Sequence, residues 1–142
     1  EKIAKEMFQQ KQLPIIGEVI DYQTPLKNVR SDFAGKIDLL SYDGSCLRIL
    51  ELKKPKSKET LLKCVLEGYT YYKMVNHSTL LQSFKLEPDT VIKASPYVAL
   101  NSLQWKDYKD NRPYTSNLMT MLSSEVYFYE IVNGVYNVVK DA

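Results

Sequence analysis

The run Leu47-Arg48-Ile49-Leu50-Glu51-Leu52-Lys53 places an acid and a base two residues apart at the end of an apolar stretch. In an extended chain successive side chains alternate, so Ile49, Glu51 and Lys53 share one face while Leu50 and Leu52 point to the other. A second apolar-rich run, Lys36 to Tyr42, contains Asp38, and the Asp-Gly pair in the intervening Asp43-Gly44-Ser45-Cys46 signals a hairpin. A loop of Asp43 to Cys46 sets Asp38 directly opposite Glu51; a loop of Asp43-Gly44 alone sets it opposite Ile49 and diagonal to Glu51. Both registers bring the two carboxylates onto one face, about 5–8 Å apart. A three-residue loop would separate them.

Two carboxylates held in apolar strands repel each other and lose solvation, which is costly unless a cation compensates. The carboxylate oxygens, joined by the main-chain carbonyl of Leu52, suit Mg²⁺ or Mn²⁺, which keep waters in their remaining positions. One such water is a candidate nucleophile. A phosphodiester under attack gathers negative charge, and Lys53 would stabilise that charge or orient the water. Glu-x-Lys by itself is commonplace and usually a solvated pair worth under about 1 kcal/mol. The acid on the hairpin partner, the apolar strand and the helix that follows set this one apart.

The elements needed to hold these residues are legible around them. Lys2 to Gln12 reads as a short helix stopped by Pro14, and Ile15 to Leu26 as a first strand. Lys36–Tyr42 and Leu47–Lys53 are strands two and three. Glu59 to Val75 has apolar residues at helical spacing and forms the longest helix, and Thr90 to Leu100 reads as a strand interrupted or bounded by Pro96. A polar loop containing Trp105 precedes a short helix over Ser116 to Leu122. Asn133-Gly134 then joins two strands, Glu125–Val132 and Val135–Lys140, in a closing hairpin.

Composition sets the bounds. The 142 residues are 44% hydrophobic and 25% charged, which fits one globular domain over 1–142. A net charge of +2 excludes a protein that holds nucleic acid by bulk charge, so any such site is local. A local basic patch exists: Lys53, Lys54, Lys56, Lys58 and Lys63 stand against one acid, Glu59. Lysines there would hold a nucleic-acid backbone as point charges. Two cysteines make neither a disulfide framework nor a zinc or iron–sulfur site. With no span-length apolar run and no leader pattern, a cytoplasmic location is expected. The start at Glu1 suggests a trimmed N-terminus.

Three segments together resemble the PD-(D/E)XK nuclease superfamily, the restriction-endonuclease-like fold: Gly35-Lys36-Ile37-Asp38-Leu39-Leu40, Ile49-Leu50-Glu51-Leu52-Lys53-Lys54-Pro55, and Leu66-Glu67-Gly68-Tyr69-Thr70-Tyr71-Tyr72. The resemblance implies an α/β fold: an αβββαβ core with a mixed central sheet flanked by helices, then a C-terminal helix and β-hairpin. It implies Mg-dependent (or Mn-dependent) hydrolysis of DNA, with Asp38 and Glu51 as metal-binding acids and Lys53 as the catalytic lysine. Ile37 stands where many members carry proline. In the branch of recombination-type exonucleases, the helix carries Gln-x-x-x-Tyr along the substrate groove, and Glu67-x-x-x-Tyr71 takes that place here. Some relatives put an acidic metal ligand in the first helix, which makes Glu6 a candidate. With Lys54 and Lys56, Glu67 and Tyr71 complete the expected substrate-binding set. The second reading is a non-catalytic module of the same fold, used for nucleic-acid binding or assembly. Cleavage of both strands would favour a homodimer.

Overall fold

A computed structural model describes residues 2–26 and 35–140. Element order is α1 (Lys2–Gln10), β1 (Gln12–Leu13), β2 (Gly17–Pro25), β3 (Lys36–Tyr42), β4 (Cys46–Leu52), α2 (Leu61–Met74), α3 (His77–Ser83), β5 (Val91–Ala99), α4 (Leu103–Asp110), α5 (Pro113–Met121), β6 (Tyr127–Val132) and β7 (Val135–Lys140). The strands form one seven-stranded mixed sheet in chain order. β1 to β4 are antiparallel neighbours, β5 and β6 run parallel to β4, and β7 returns antiparallel to β6. The parallel joins require crossovers, which α2–α3 and α4–α5 supply.

The sheet is curled and barrel-like, where a mixed central sheet flanked by helices was expected. β7 comes back against α1 and β1. Gln10 fastens the return: its Nε2 donates to Tyr136 O at 2.9 Å and its Oε1 accepts from Tyr136 N at 2.8 Å. Inside the curl, Ala4 and Met7 of α1 pack with Leu39, Leu50, Tyr97, Tyr129 and Tyr136. On the other face, Leu61, Cys64 and Val65 of α2 pack on Val98 and Phe128, and Leu80 and Leu81 of α3 pack on Leu40, Leu47 and Ile49. β4 thus alternates, Leu50 towards α1 and Ile49 towards the crossover helices. The same alternation turns Glu51 towards α2.

Several boundaries differ from those read in the sequence. The first helix stops at Gln10 because Lys11 takes φ +74°, after which β1 pairs with β2. α3 follows α2 directly, capped by Asn76, whose side chain accepts from Thr79 N at 2.9 Å. The segment around Trp105 is α4, not a polar loop: Ser102 caps it through Trp105 N at 3.3 Å, and Trp105 lies half-buried against the α2 cluster. Pro96 sits inside β5 and neither interrupts nor bounds it. Lys53 N donates to Tyr97 O at 3.1 Å, so the main chain of Tyr97 faces β4 and that of Pro96 faces the opposite side. β6 joins only from Tyr97 onward, so the missing N–H of Pro96 breaks no ladder bond.

Candidate active site

The β3–β4 hairpin follows the longer of the two loops: Tyr42 pairs with Leu47, Leu40 with Ile49 and Leu39 with Leu50. Asp43 builds the turn, its Oδ1 accepting from Ser45 N at 2.9 Å and Cys46 N at 2.8 Å. Continued by one step, this register sets Asp38 opposite Glu51. The ladder stops one pair short, however, and the Asp38 carboxylate takes over, with Oδ2 accepting from Leu52 N at 2.9 Å. β3 and β4 therefore part at the end that carries the acids, while β3 stays paired with β2 through Ile37 and Lys36.

Glu51 is 4% exposed and its Oε2 is buried without a hydrogen-bond partner. Burial, then the charge of Asp38, then the Glu67 carboxyl within hydrogen-bond reach push its pKa up to about 9. Asp38 is also raised: burial dominates, opposed by the Leu52 N–H and by Lys53. Lys53 Nζ meets Glu51 Oε1 at 3.2 Å, Glu67 Oε2 at 3.3 Å, and Glu59 Oε2. Burial works against its charge, but the bond to Glu59 and the Glu51 carboxylate outweigh burial, and Lys53 is raised above its ordinary range. The main chain around Lys53 is fixed as well, because Tyr129 Oη donates to Lys53 O at 2.7 Å.

α2 brings the remaining groups. Thr60 caps it by accepting from Lys63 N at 3.1 Å, which sets Lys63 and Glu67 one turn apart on one face, with Glu59 in the loop just before the cap. Lys63 Nζ lies 2.9 Å from Glu59 Oε1 and 3.8 Å from Glu67 Oε1. Tyr71 follows one turn on. Burial, then the charges of Glu51, Asp38 and Glu67, raise its pKa. Gly68 packs on the sheet: a Cβ there would sit 3.6 Å from Glu51 Cβ and 3.8 Å from Ala94 Cβ, ordinary contact distances. In front of Lys53 an open cleft of about 550 Å³ is lined by Ile3 and Ala4 of α1, Gln23, Asp38, Leu52, Lys54, Lys56, Lys58 and Glu59.

The fold thus gathers Asp38, Glu51, Lys53, Glu67 and Tyr71 and puts Lys54 and Lys56 on the rim. Glu6 is not brought to them; its carboxylate accepts from Tyr136 Oη at 2.6 Å and lies 4.0 Å from Lys2. Glu59 and Lys63 are members that the sequence reading assigned only to a basic patch. Their signal was available in the four-residue spacing of Glu59, Lys63 and Glu67. Among the described residues no three His, Cys, Asp or Glu side chains are grouped as a metal site. Asp38 and Glu51 are the two carboxylates assigned to a metal in the sequence, and Glu59 and Glu67 stand beside them on Lys53. Among the described residues, no helix is long and apolar enough to cross a membrane. No family model, curated protein or solved structure matches the chain.

Proposed function

We propose that this chain is a metal-dependent nuclease of the restriction-endonuclease-like kind, hydrolysing phosphodiester bonds in DNA, with Asp38, Glu51 and Lys53 as its catalytic residues. The observation that carries this reading is Glu51 Oε2, buried and unpartnered beside Lys53 and Asp38, where β4 opens into a lysine-edged cleft. Leaving that one buried oxygen without a donor costs about 1–3 kcal/mol, while Oε1 is paired with Lys53. The succession α1, β2–β4, α2, β5, with β5 parallel to β4, supports the αβββαβ assignment.

The donor set fits a divalent ion. Four carboxyl groups, Asp38, Glu51, Glu59 and Glu67, stand against two ammonium groups, Lys53 and Lys63, so the cluster carries one excess negative charge with Glu51 protonated and two once Glu51 ionises. Asp38, Glu51 and the Leu52 carbonyl would hold Mg²⁺ or Mn²⁺, hard ions suited to oxygen. When bound, such an ion polarises a phosphoryl oxygen and makes a neighbouring water more acidic. Glu51 must give up its proton to act as a ligand. Asp38 is held ready by the Leu52 amide. Lys53 presents a permanent positive charge to the developing phosphorane or orients the attacking water. Lys54 and Lys56, exposed on the rim, would grip the DNA backbone, with Glu67 and Tyr71 behind Lys53 on α2.

The test is cleavage of labelled single- and double-stranded DNA with Mg²⁺, Mn²⁺ or EDTA, set beside folded Asp38→Ala and Lys53→Ala variants. Metal-dependent cleavage that both substitutions abolish is the expected result. Absence of cleavage, metal binding and DNA binding together would sink the reading.

A further inference from the structure

Lys53 Nζ has three N–H donors and three carboxylates around it. Glu51 reaches it along the same strand and Glu67 from α2. Glu59 reaches it from the loop between β4 and α2, and is the one of the three that lines the open cleft. Its side chain is 35% exposed, against 5% for Glu51. With all three contacts in place, no donor of Lys53 is left for an incoming phosphate oxygen.

We propose that Glu59 occupies the seat of the substrate phosphate on Lys53 and is displaced when a phosphodiester enters the cleft. The proposal rests on the nuclease reading of the site and adds to it a built-in competitor that sets substrate affinity. A carboxylate and a phosphodiester each bring one negative charge and a pair of oxygens, so the exchange preserves the charge facing Lys53. No main-chain movement is required. Glu59 O is held by Nε2 of the fully buried Gln104 at 2.6 Å, and Glu59 N by Ser57 Oγ at 3.3 Å. Lys63 already holds the other carboxylate oxygen at 2.9 Å, so rotating Glu59 away from Lys53 leaves it partnered. The Glu59 end of the pair is 35% exposed, so an incoming phosphate can reach it from the cleft.

The experiment measures the affinity of a labelled oligonucleotide in EDTA at low salt for the unaltered chain, Glu59→Gln, Lys53→Gln and the double variant. Glu59→Gln is expected to tighten binding about two- to fivefold when Lys53 is present and to have no such effect in the Lys53→Gln background. Equal tightening in both backgrounds would reduce Glu59 to a general repulsive charge and overturn the proposal, as would no tightening in either. If the unaltered chain binds no oligonucleotide, the nuclease reading has failed by itself, and a second measurement decides the inference using Glu59→Gln alone. Acylation of Lys53, read by mass spectrometry relative to Lys54, should be faster in Glu59→Gln, and inorganic phosphate should slow it more there than in the unaltered chain. Unchanged Lys53 reactivity would overturn the proposal.

Discussion

The two ends of β4 hold carboxylates in opposite conditions. At the turn, Asp43 is fully matched: it accepts from Ser45 N, Ser45 Oγ and Cys46 N, and its Oδ2 lies 2.7 Å from Arg48 Nη1. Although burial opposes ionisation, Arg48 and the turn amides hold the Asp43 carboxyl well below the usual range. At the far end, Glu51 is more deeply buried, lacks a donor on Oε2 and is pushed up instead. The turn entering β4 therefore holds a carboxylate that stabilises the fold, and the far end of the strand one that the fold tolerates at a cost. Acid–base pairs in a sheet are not equivalent, and the test is whether every oxygen has a donor.

The strongest way to break this contrast is to neutralise the mismatched acid. Glu51→Gln should lower metal-dependent cleavage by about 10²-fold or more, while raising the metal-free denaturation midpoint at pH 8. A loss of both would show that Glu51 is structural. Asp43→Ala should do the reverse, costing about 2 kcal/mol in denaturant titration while leaving cleavage per folded molecule unchanged. Unaltered stability would remove Asp43 from its role.

The pH dependence separates the ends further, by about 1.4 kcal/mol per pH unit for each proton involved. The folded pKa of Asp43 is depressed, so its contribution is present above its ordinary value of 3.8 and is lost as pH falls below it. The folded pKa of Glu51 is raised, so its favourable contribution is complete below 4.5 and is lost as pH rises towards about 9. Stability of the metal-free chain should therefore decline on both sides. Asp43→Asn should flatten the acid limb and Glu51→Gln the alkaline one, as followed by thermal melts across pH. The smallest effect is expected at the rim: Lys54→Ala and Lys56→Ala should each reduce the salt slope of DNA binding by about one, with cleavage at saturation preserved.

The hairpin and its chemistry were legible because local signals agreed: Asp43-Gly44, the apolar runs on either side and the two-residue spacing of Glu51 and Lys53. The register was narrowed to two choices, and Asp43 decided between them by bonding the amides of Ser45 and Cys46. The early stop of the ladder was not legible, since it depends on the Asp38 side chain outcompeting a backbone pair. α3 was passed over because its seven residues are too few to display a period, and α4 because Lys106, Asp107, Lys109 and Asp110 mask its buried positions. Pro96 argued against a continuous strand, and only the late arrival of β6 makes it harmless. Glu59 was read as a lone acid among lysines; its partnership with Lys53 is tertiary and leaves no mark in β4 itself.

The parting of β3 from β4 also places a reporter inside the cleft. The Leu52 amide is guarded by a single carboxylate, whereas the adjacent Lys53 amide is locked into the sheet by Tyr97 O. Anything that claims the Asp38 oxygen leaves the Leu52 amide open to solvent hydrogen exchange while its neighbour stays protected. The ratio of the two exchange rates would then register occupancy of the cleft residue by residue, with no substrate and no turnover.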